Sequence, residues 1–338
     1  MGSILVVNAG SASLKLSVVA PDEATTKLDS LSAAPDDLDA VVHRIVHGGP
    51  RFLEPILIDD AVELELAGAI ELAPLHNTPA LAAIREARSL FPALPHIAVF
   101  DSAFHATIPD EASTYALPWQ WRDWGIRRYG FHGLSVQWAS QQVPASRLVV
   151  CHLGGGCSVT AVHDGRSVDT TMGFTPLEGV PMATRPGSVD PGALVYLLRH
   201  HLTLEALDHA LEHESGLAGL SGLSGDVREL ERSDDPPARL ALETFTYRVA
   251  TAVGAMAVAL GGLDALVFTA GIGENSPGVR ASVCERLGFL GVELDSQANA
   301  SARPDDTISA SHGSVRVAVV EAREDIVAAH AARRLLDG

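Results

Sequence analysis

Cysteine is scarce in this chain: three in 338 residues, at 151, 157 and 284, with no CxxC pair. So sparse a set supports neither a disulfide framework nor a zinc site, and it points to a reducing compartment. Basic residues are also few, 24 Lys and Arg against 42 Asp and Glu, for a net charge of −18. That balance argues against a chain made to coat nucleic acid or an anionic membrane, and it makes each cation beside a glycine turn informative. Long apolar runs are missing: Val249 to Leu263 is the longest mainly apolar stretch, short of the ~20 residues a membrane helix needs. The start, MGSILVVNAG, has no basic segment ahead of a long apolar core. A secretory leader is therefore not expected, and the chain reads as soluble and cytoplasmic. Neither the Gly-x4-Gly-Lys-Ser/Thr phosphate loop nor a GxGxxG after an early strand occurs, which sets aside P-loop NTPases and dinucleotide dehydrogenases.

What is present is a well-buried composition, 47% hydrophobic, long enough for two packed cores with a cleft between them. The chain is organised around Leu148–Pro191. An apolar run, LVVCHL, breaks into Gly154, Gly155 and Gly156; a second run, Ser158–Val162, ends in the turn His163-Asp164-Gly165. Strand, glycine turn and returning strand make a cradle whose N–H groups can face an anion. The following loop carries Asp169, Thr170, Thr171, Glu178, Thr184, Arg185 and Asp190, and a loop of that length in a compact domain is usually functional. The chain start repeats the plan. Ile4–Val7 and Leu14–Val19 flank Asn8-Ala-Gly-Ser-Ala-Ser13, with Asn8, Ser11, Ser13 and Lys15 supplying groups suited to phosphate oxygens and hydrated Mg2+. An ordinary hairpin is the competing reading there.

Elsewhere, Asp39–Val46 reads as a strand carrying Arg44 into a Gly-Gly turn, an anion clamp or an edge-strand arginine. Pro74–Pro79 reads as a loop entering a helix over Ala80–Leu90. Asp101 closes the strand His96–Phe100, where ligand chemistry lies in open α/β sheets, although a lone Asp there also serves as a helix cap. His132 sits in Arg-Arg-Tyr-Gly-Phe-His-Gly. The spacing predicts a helix over 193–211, a Gly/Ser-rich loop over 215–228, and a strand at 266–270 breaking into Gly271-Ile-Gly-Glu-Asn275 before a helix from about Pro277. Helix N-terminal amides after such a turn suit an anion or nucleotide. Alternation of strands and helices predicts an α/β fold with mixed sheets.

Taken together, NAGSASLK, HRIVHGG, APLHNTPAL, VFDSAFHATIP, RRYGFHG, HLGGG, SVDTTMGFTPLEGVPMATRPGSVDPG, SGLSGDVR, VFTAGIGEN and the Glu324 region resemble acetate kinases and the related propionate and butyrate kinases. These segments run in family order from residue 4 to residue 325. The resemblance implies two actin-like (ribonuclease H-like) domains, residues 1–105 with 326–338 and residues 106–325, with the active-site cleft between them. It implies a homodimer, and reversible phosphoryl transfer from ATP to acetate or another short-chain carboxylate, with Mg2+ or Mn2+. Asn8 and Glu324 would hold the metal environment. Arg44 would bind the substrate carboxylate, Asp101 would be the acidic catalytic residue, and His132 and Arg185 would stabilise the transferring phosphoryl group. Val46, Leu75, Phe131 and Pro176 would form the acyl pocket. ATP would meet Ser11, Ser13, Lys15, then His152, Leu153, Gly154, Gly155 and Gly156, then Asp226, Val227 and Arg228, and finally Gly271, Ile272, Gly273, Glu274 and Asn275.

A carboxylate oxygen is already a nucleophile, so the burden of such a reaction is to bring two anions together and stabilise charge on the equatorial oxygens. Asp101 then suits organising a metal or water better than taking a proton. The chain departs from the family pattern between Val19 and Asp39, which is short, and less so between His132 and His152. It has Gly155 for the usual Asn, Leu134 and Val136 for Thr and His, Val227 for Phe, and Glu321-Ala322-Arg323 for Pro-Thr-Asn. A propionate or broad carboxylate kinase, and a homologue that binds nucleotide without turning over, are the alternatives; a sugar kinase is disfavoured by the loop 169–185.

Overall fold

The computed structural model describes residues 2–10, 14–68, 70 and 74–337, the side chains of 74–76 excepted. It divides into two compact units: Met1–Ala106 with Leu117–Trp138 and Arg323–Gly338, and Thr107–Ala116 with Ala139–Ala322. Residues 117–138 thus belong to the first unit rather than to the second, as the sequence had suggested. Leu134 and Trp138, on the helix Gly133–Gln142, pack into the core of the first sheet, which explains the assignment.

The first unit holds a six-stranded sheet in the order β3-β2-β1-β4-β6-β5. Its strands are β1 (Ser3–Ala9), β2 (Leu14–Val19), β3 (Thr25–Leu28), β4 (Leu38–Ile45), β5 (Ile56–Leu57) and β6 (His96–Phe100). β1, β2 and β3 form an antiparallel meander, whereas β4 and β6 run parallel to β1. Side chains alternate between sheet faces with period two. Ile4, Val6, Val42, Ile97 and Val99 accordingly pack against the helix Glu324–Asp337, while Leu5, Val7 and Val41 face Ala80, Ala83 and Ala87 of the helix Pro74–Leu90.

The second unit repeats this topology in a five-stranded sheet of order β11-β10-β7-β8-β9. Here β7 (Arg147–Leu153), β8 (Cys157–His163) and β9 (Arg166–Thr170) are the meander, and β10 (Ala265–Thr269) and β11 (Arg316–Val320) are the parallel strands. The helix Pro236–Leu260 packs on β7, β8 and β9 through buried Ala241, Phe245, Val249 and Val253.

Several local expectations are corrected. The helix expected from Ala80 begins at Pro74: proline is well suited to a first helical turn, and Pro79 sits inside the helix rather than ending it. Residues 193–211 are two helices, Pro191–His200 and Leu204–His209, broken where the Thr203 hydroxyl caps the second. The glycine-rich stretch 215–228 is not all loop but includes the helix Gly216–Ser221. Residues 270–275 form a helical turn, entered through Ala270 at φ 65°. The cysteines are buried and unbridged.

Candidate active site

In the first unit, alternation sets the site. Asn8 in β1, Arg44 in β4 and Asp101 just past β6 continue the face that packs on the helix Glu324–Asp337, and all three stand at the C-terminal ends of adjacent parallel strands. Ligand chemistry is expected at that end of such a sheet. Arg44 Nε donates to Asp101 Oδ1 at 2.7 Å, and its Nη2 donates to Asp101 Oδ2. Nη1 donates to Asn8 Oδ1 at 2.9 Å. Glu324, in the first turn of the C-terminal helix, accepts from Asn8 Nδ2 at 3.1 Å and stands 3.6 Å from Arg44 Nε.

Burial works against the Arg44 charge, but Asp101 and Glu324 outweigh it and hold the guanidinium protonated. Burial pushes the Asp101 carboxyl up to about 6; Arg44 and the His132 backbone N–H oppose that shift, and Glu324 adds to it. Planar two-point pairing of this kind fixes an arginine more tightly than a single contact.

His132 is held in left-handed backbone, φ 60°, a conformation that costs free energy for a non-glycine residue and recurs at functional sites. The next residue has to be glycine: a Cβ on Gly133 would lie 2.1 Å from the Asp101 carbonyl oxygen, to which the Gly133 N–H donates at 2.9 Å. The Phe-His-Gly motif is therefore packed directly on the Asp101 backbone. Lys15 pairs with Asn8 across the β1–β2 hairpin, so the two share a face. Val46 and Phe131 are buried, the latter with its carbonyl accepting from His105 Nε2 at 2.9 Å. Ser11 and Ser13 lie outside the described residues, as does the Leu75 side chain.

The second unit gathers the glycine-bearing turns. Gly154 N–H donates to the Gly156 carbonyl at 3.0 Å, and the Cys157 thiol donates to the Gly154 carbonyl at 3.3 Å, closing the turn after His152 and Leu153. A Cβ on Gly154 would touch Ala270 Cβ at 3.5 Å, which puts this turn beside Gly271 and the turn that continues through Ile272, Gly273, Glu274 and Asn275. The third segment joins them. Asp226 caps Val227–Leu230 by accepting from Arg228 N–H at 2.9 Å, and Glu231 accepts from Ser276 Oγ at 2.5 Å. Arg185 is tied to the same region, since Ala183 N–H donates to the Gly155 carbonyl at 3.2 Å. Pro176 is buried in that loop, near Tyr115, whose hydroxyl donates to Glu178 and accepts from Phe174 N–H at 2.9 Å.

Two contacts were not legible beforehand. Arg185 Nε donates to Glu212 at 2.8 Å, from the short stretch between the expected helix 193–211 and the loop 215–228, and Tyr115 reaches Glu178 across 63 residues. Glu178 is among the polar side chains of the loop after the glycines, but its partner is not legible there; Glu212 stands in no pattern that sequence spacing would single out.

A three-strand meander joined to two parallel strands, made twice in one chain, is the architecture of actin-like two-domain proteins. More narrowly, the chain belongs to the acetokinase family, whose profile matches residues 22–330. It is 47% identical over 316 residues to an acetate kinase of Nostoc punctiforme, covering 90% of this chain and 77% of that protein. With an acetate kinase of Deinococcus deserti it shares 49% identity over 316 residues, covering 89% and 79%. Among solved structures it resembles a propionate kinase from Francisella tularensis, with TM-score 0.90, 33% identity, and 98% and 99% of the two chains covered. Porphyromonas gingivalis acetate kinase gives TM-score 0.88, 32% identity, and 99% and 100% coverage.

Proposed function

We propose that the chain is an acetate kinase, transferring the γ-phosphoryl group of ATP reversibly and directly to acetate to give acetyl phosphate and ADP. Family membership supplies the activity; the observation that carries the site is the part-buried Asn8–Arg44–Asp101–Glu324 cluster at the strand ends. Three Arg44 donors are taken by Asp101 and Asn8, which leaves one N–H on each Nη for a substrate carboxylate. Asp101 then acts by holding Arg44 rather than by removing a proton, in keeping with a nucleophile that carries none. Val46, Phe131, Leu75 and Pro176 are proposed to line the acyl side, and the turns at 152–156, 226–228 and 271–275 to take the nucleotide, with Ser11, Ser13 and Lys15 along the phosphate path. His132 and Arg185 are assigned to the equatorial oxygens, where charge builds as the phosphoryl group transfers.

Among the described residues no three His, Cys, Asp or Glu side chains form a ready-made metal site. Mg2+ does not need one, because it keeps several waters and takes one or two carboxylates plus substrate phosphates. Asn8 Oδ1 and the Glu324 carboxylate, 17% exposed, offer hard oxygen donors of that kind. When bound there, Mg2+ or Mn2+ would neutralise phosphate charge. A cytoplasmic homodimer completes the proposal; among the described residues no helix is long and apolar enough to cross a membrane.

The propionate kinase resemblance at TM-score 0.90 favours propionate as a second substrate. One methylene changes selectivity by only ~1–3 kcal/mol. Trapping acyl phosphate as hydroxamate, with ATP and acetate, propionate or butyrate side by side, tests both readings. Acetate is expected to give the highest kcat/KM. If no acid yields hydroxamate above a no-enzyme control, the proposal fails.

A further inference from the structure

Arg185 is held in two separate ways. Its backbone is fixed by main-chain bonds: Ser215 N–H to the Thr184 carbonyl at 2.9 Å, Leu217 N–H to Met182 at 2.8 Å, and Ala218 N–H to Ala183 at 2.9 Å. Gly216, at φ 60°, lets the two segments approach; a Cβ there would lie 2.2 Å from the Met182 carbonyl oxygen. Its side chain is held by the Glu212 carboxylate, which accepts from Nε at 2.8 Å with both side chains largely buried, 12% and 18% exposed.

Glu212 sits in a π-helical turn, Ala210–Glu214, that follows the helix Leu204–His209 without a break. Such wide turns are rare and are found mainly where a function requires them. Here the turn carries Glu212 inward while His209 and Glu214, on either side, are 63% and 65% exposed. The Glu212 carbonyl also accepts from Thr184 Oγ1 at 2.8 Å, so the turn grips the residue before Arg185 as well. A carboxylate on Nε restrains the plane of the guanidinium and its rotamer.

We propose that Glu212 is a positioning residue for phosphoryl transfer, setting the plane of the Arg185 guanidinium toward the transferring phosphoryl group. The inference rests on the role assigned to Arg185 above. Because main-chain bonds hold Thr184 and Arg185 in place without it, the Glu212 carboxylate governs the guanidinium rather than the loop. Misplacing a catalytic group by about 1 Å costs about 10²-fold in rate.

Steady-state rates with Mg-ATP and acetate are compared for the wild type, Glu212→Gln, Glu212→Ala, Arg185→Ala and Arg185→Ala/Glu212→Ala. The expected order of kcat is wild type, then Gln, then Ala, the last down about 10–100-fold, with KM for ATP little changed and the thermal midpoint lowered, since a largely buried charge pair is broken. The double variant is expected to be no slower than Arg185→Ala alone. Added guanidinium is expected to restore rate to Arg185→Ala, where Glu212 offers a seat for it, and not to the double variant. A Glu212→Ala kcat within about twofold of wild type, or equal rescue of both Arg185 variants, overturns the inference while leaving the role of Arg185 intact. A near-normal rate in Arg185→Ala removes the role of Arg185 itself, and with it the basis for Glu212.

Discussion

Removing the Arg44 guanidinium should have a pH-dependent cost that the structure specifies. Asp101 is only 1% exposed in its side chain, and Arg44 is its ion-pair partner. In Arg44→Ala the carboxyl is left buried beside Glu324 with no cation, a change that typically costs about 3–5 kcal/mol. A buried acid without a partner takes up a proton instead of staying charged, so its folded-state pKa rises further. In wild type that value is about 6. The sign follows from proton counting. Between about 6 and its own higher pKa the folded variant holds a proton that folded wild type lacks, and the unfolded chains are alike. The penalty therefore grows with pH there, by up to about 1.4 kcal/mol per unit. Below about 6 wild-type Asp101 protonates as well, and the difference should level off. Urea unfolding of both proteins at pH 8, 7, 6 and 5, without added divalent cation, reads this directly. Arg44→Ala/Asp101→Asn, which removes the stranded acid, should recover most of the loss at pH 8 and yet remain slow by orders of magnitude, because the carboxylate clamp is still gone. A penalty that does not change with pH, or a double variant no more stable than the single, would refute the reasoning.

Two further outcomes are expected. Gly155→Asn should fold normally, since a Cβ there meets nothing within 4 Å and the residue is not in left-handed backbone; its KM for ATP should fall by up to about tenfold if the amide gains one bond to a charged phosphate, ~1.5 kcal/mol, and an unchanged or higher KM would mean that the turn follows another path around the nucleotide. Burial pushes the His43 imidazole down to about 3 and His105 down to about 4; unfolded histidines protonate near 6.5 while these stay neutral, so each should remove stability as pH falls from 6.5 toward 4, by about 1.4 kcal/mol per unit, and His43→Gln/His105→Gln should flatten that acid limb in a denaturation series.

The strands and the strand-end acid were legible because they obey short-range rules. Asp101 follows five buried residues, and Arg44 alternates with Ala40 and Val42, so both announce their place on a sheet. The similarity of the two hairpins was also readable, and it corresponds to two sheets of one topology. Partners were not legible. Glu324 meets Asn8 across 316 positions and Glu212 meets Arg185 across 27, and neither distance corresponds to any helical or strand period; only the family resemblance brought Asn8 and Glu324 together beforehand. Breakers misled where tertiary contacts override propensity. Pro74 and Pro79 read as loop residues, yet Asn77 between them donates to the His47 carbonyl at 3.1 Å and accepts from His47 N–H at 3.3 Å, which fixes that turn as helix.

The stretch between Val19 and Asp39, short against the pattern that the family resemblance leads one to expect, is long enough for the crossing it makes. β3 and β4 are parallel, with β2 and β1 between them, so the crossing spans three strand spacings, about 14 Å, and must also run back along the sheet. Residues 29–37 could reach about 30 Å if fully extended, enough for the crossing even with the short 3-10 turn Leu31–Ala33 within it. One buried side chain from the crossing, Leu31, joins Leu5, Val7, Val41, Ala80 and Ala83 in the core. That core lies on one face of the sheet. Asn8, Arg44 and Asp101 stand on the other, with Ile4, Val6, Val42 and the C-terminal helix that carries Glu324. The crossing therefore contributes to the face away from the clamp, while β1, β4 and β6 pair in register along the face that carries it. Leu31, the buried residue of a single 3-10 turn (Leu31–Ala33), is what the crossing contributes to this core, so its loss should weaken the fold and leave the spacing between Arg44 and Asp101 unchanged.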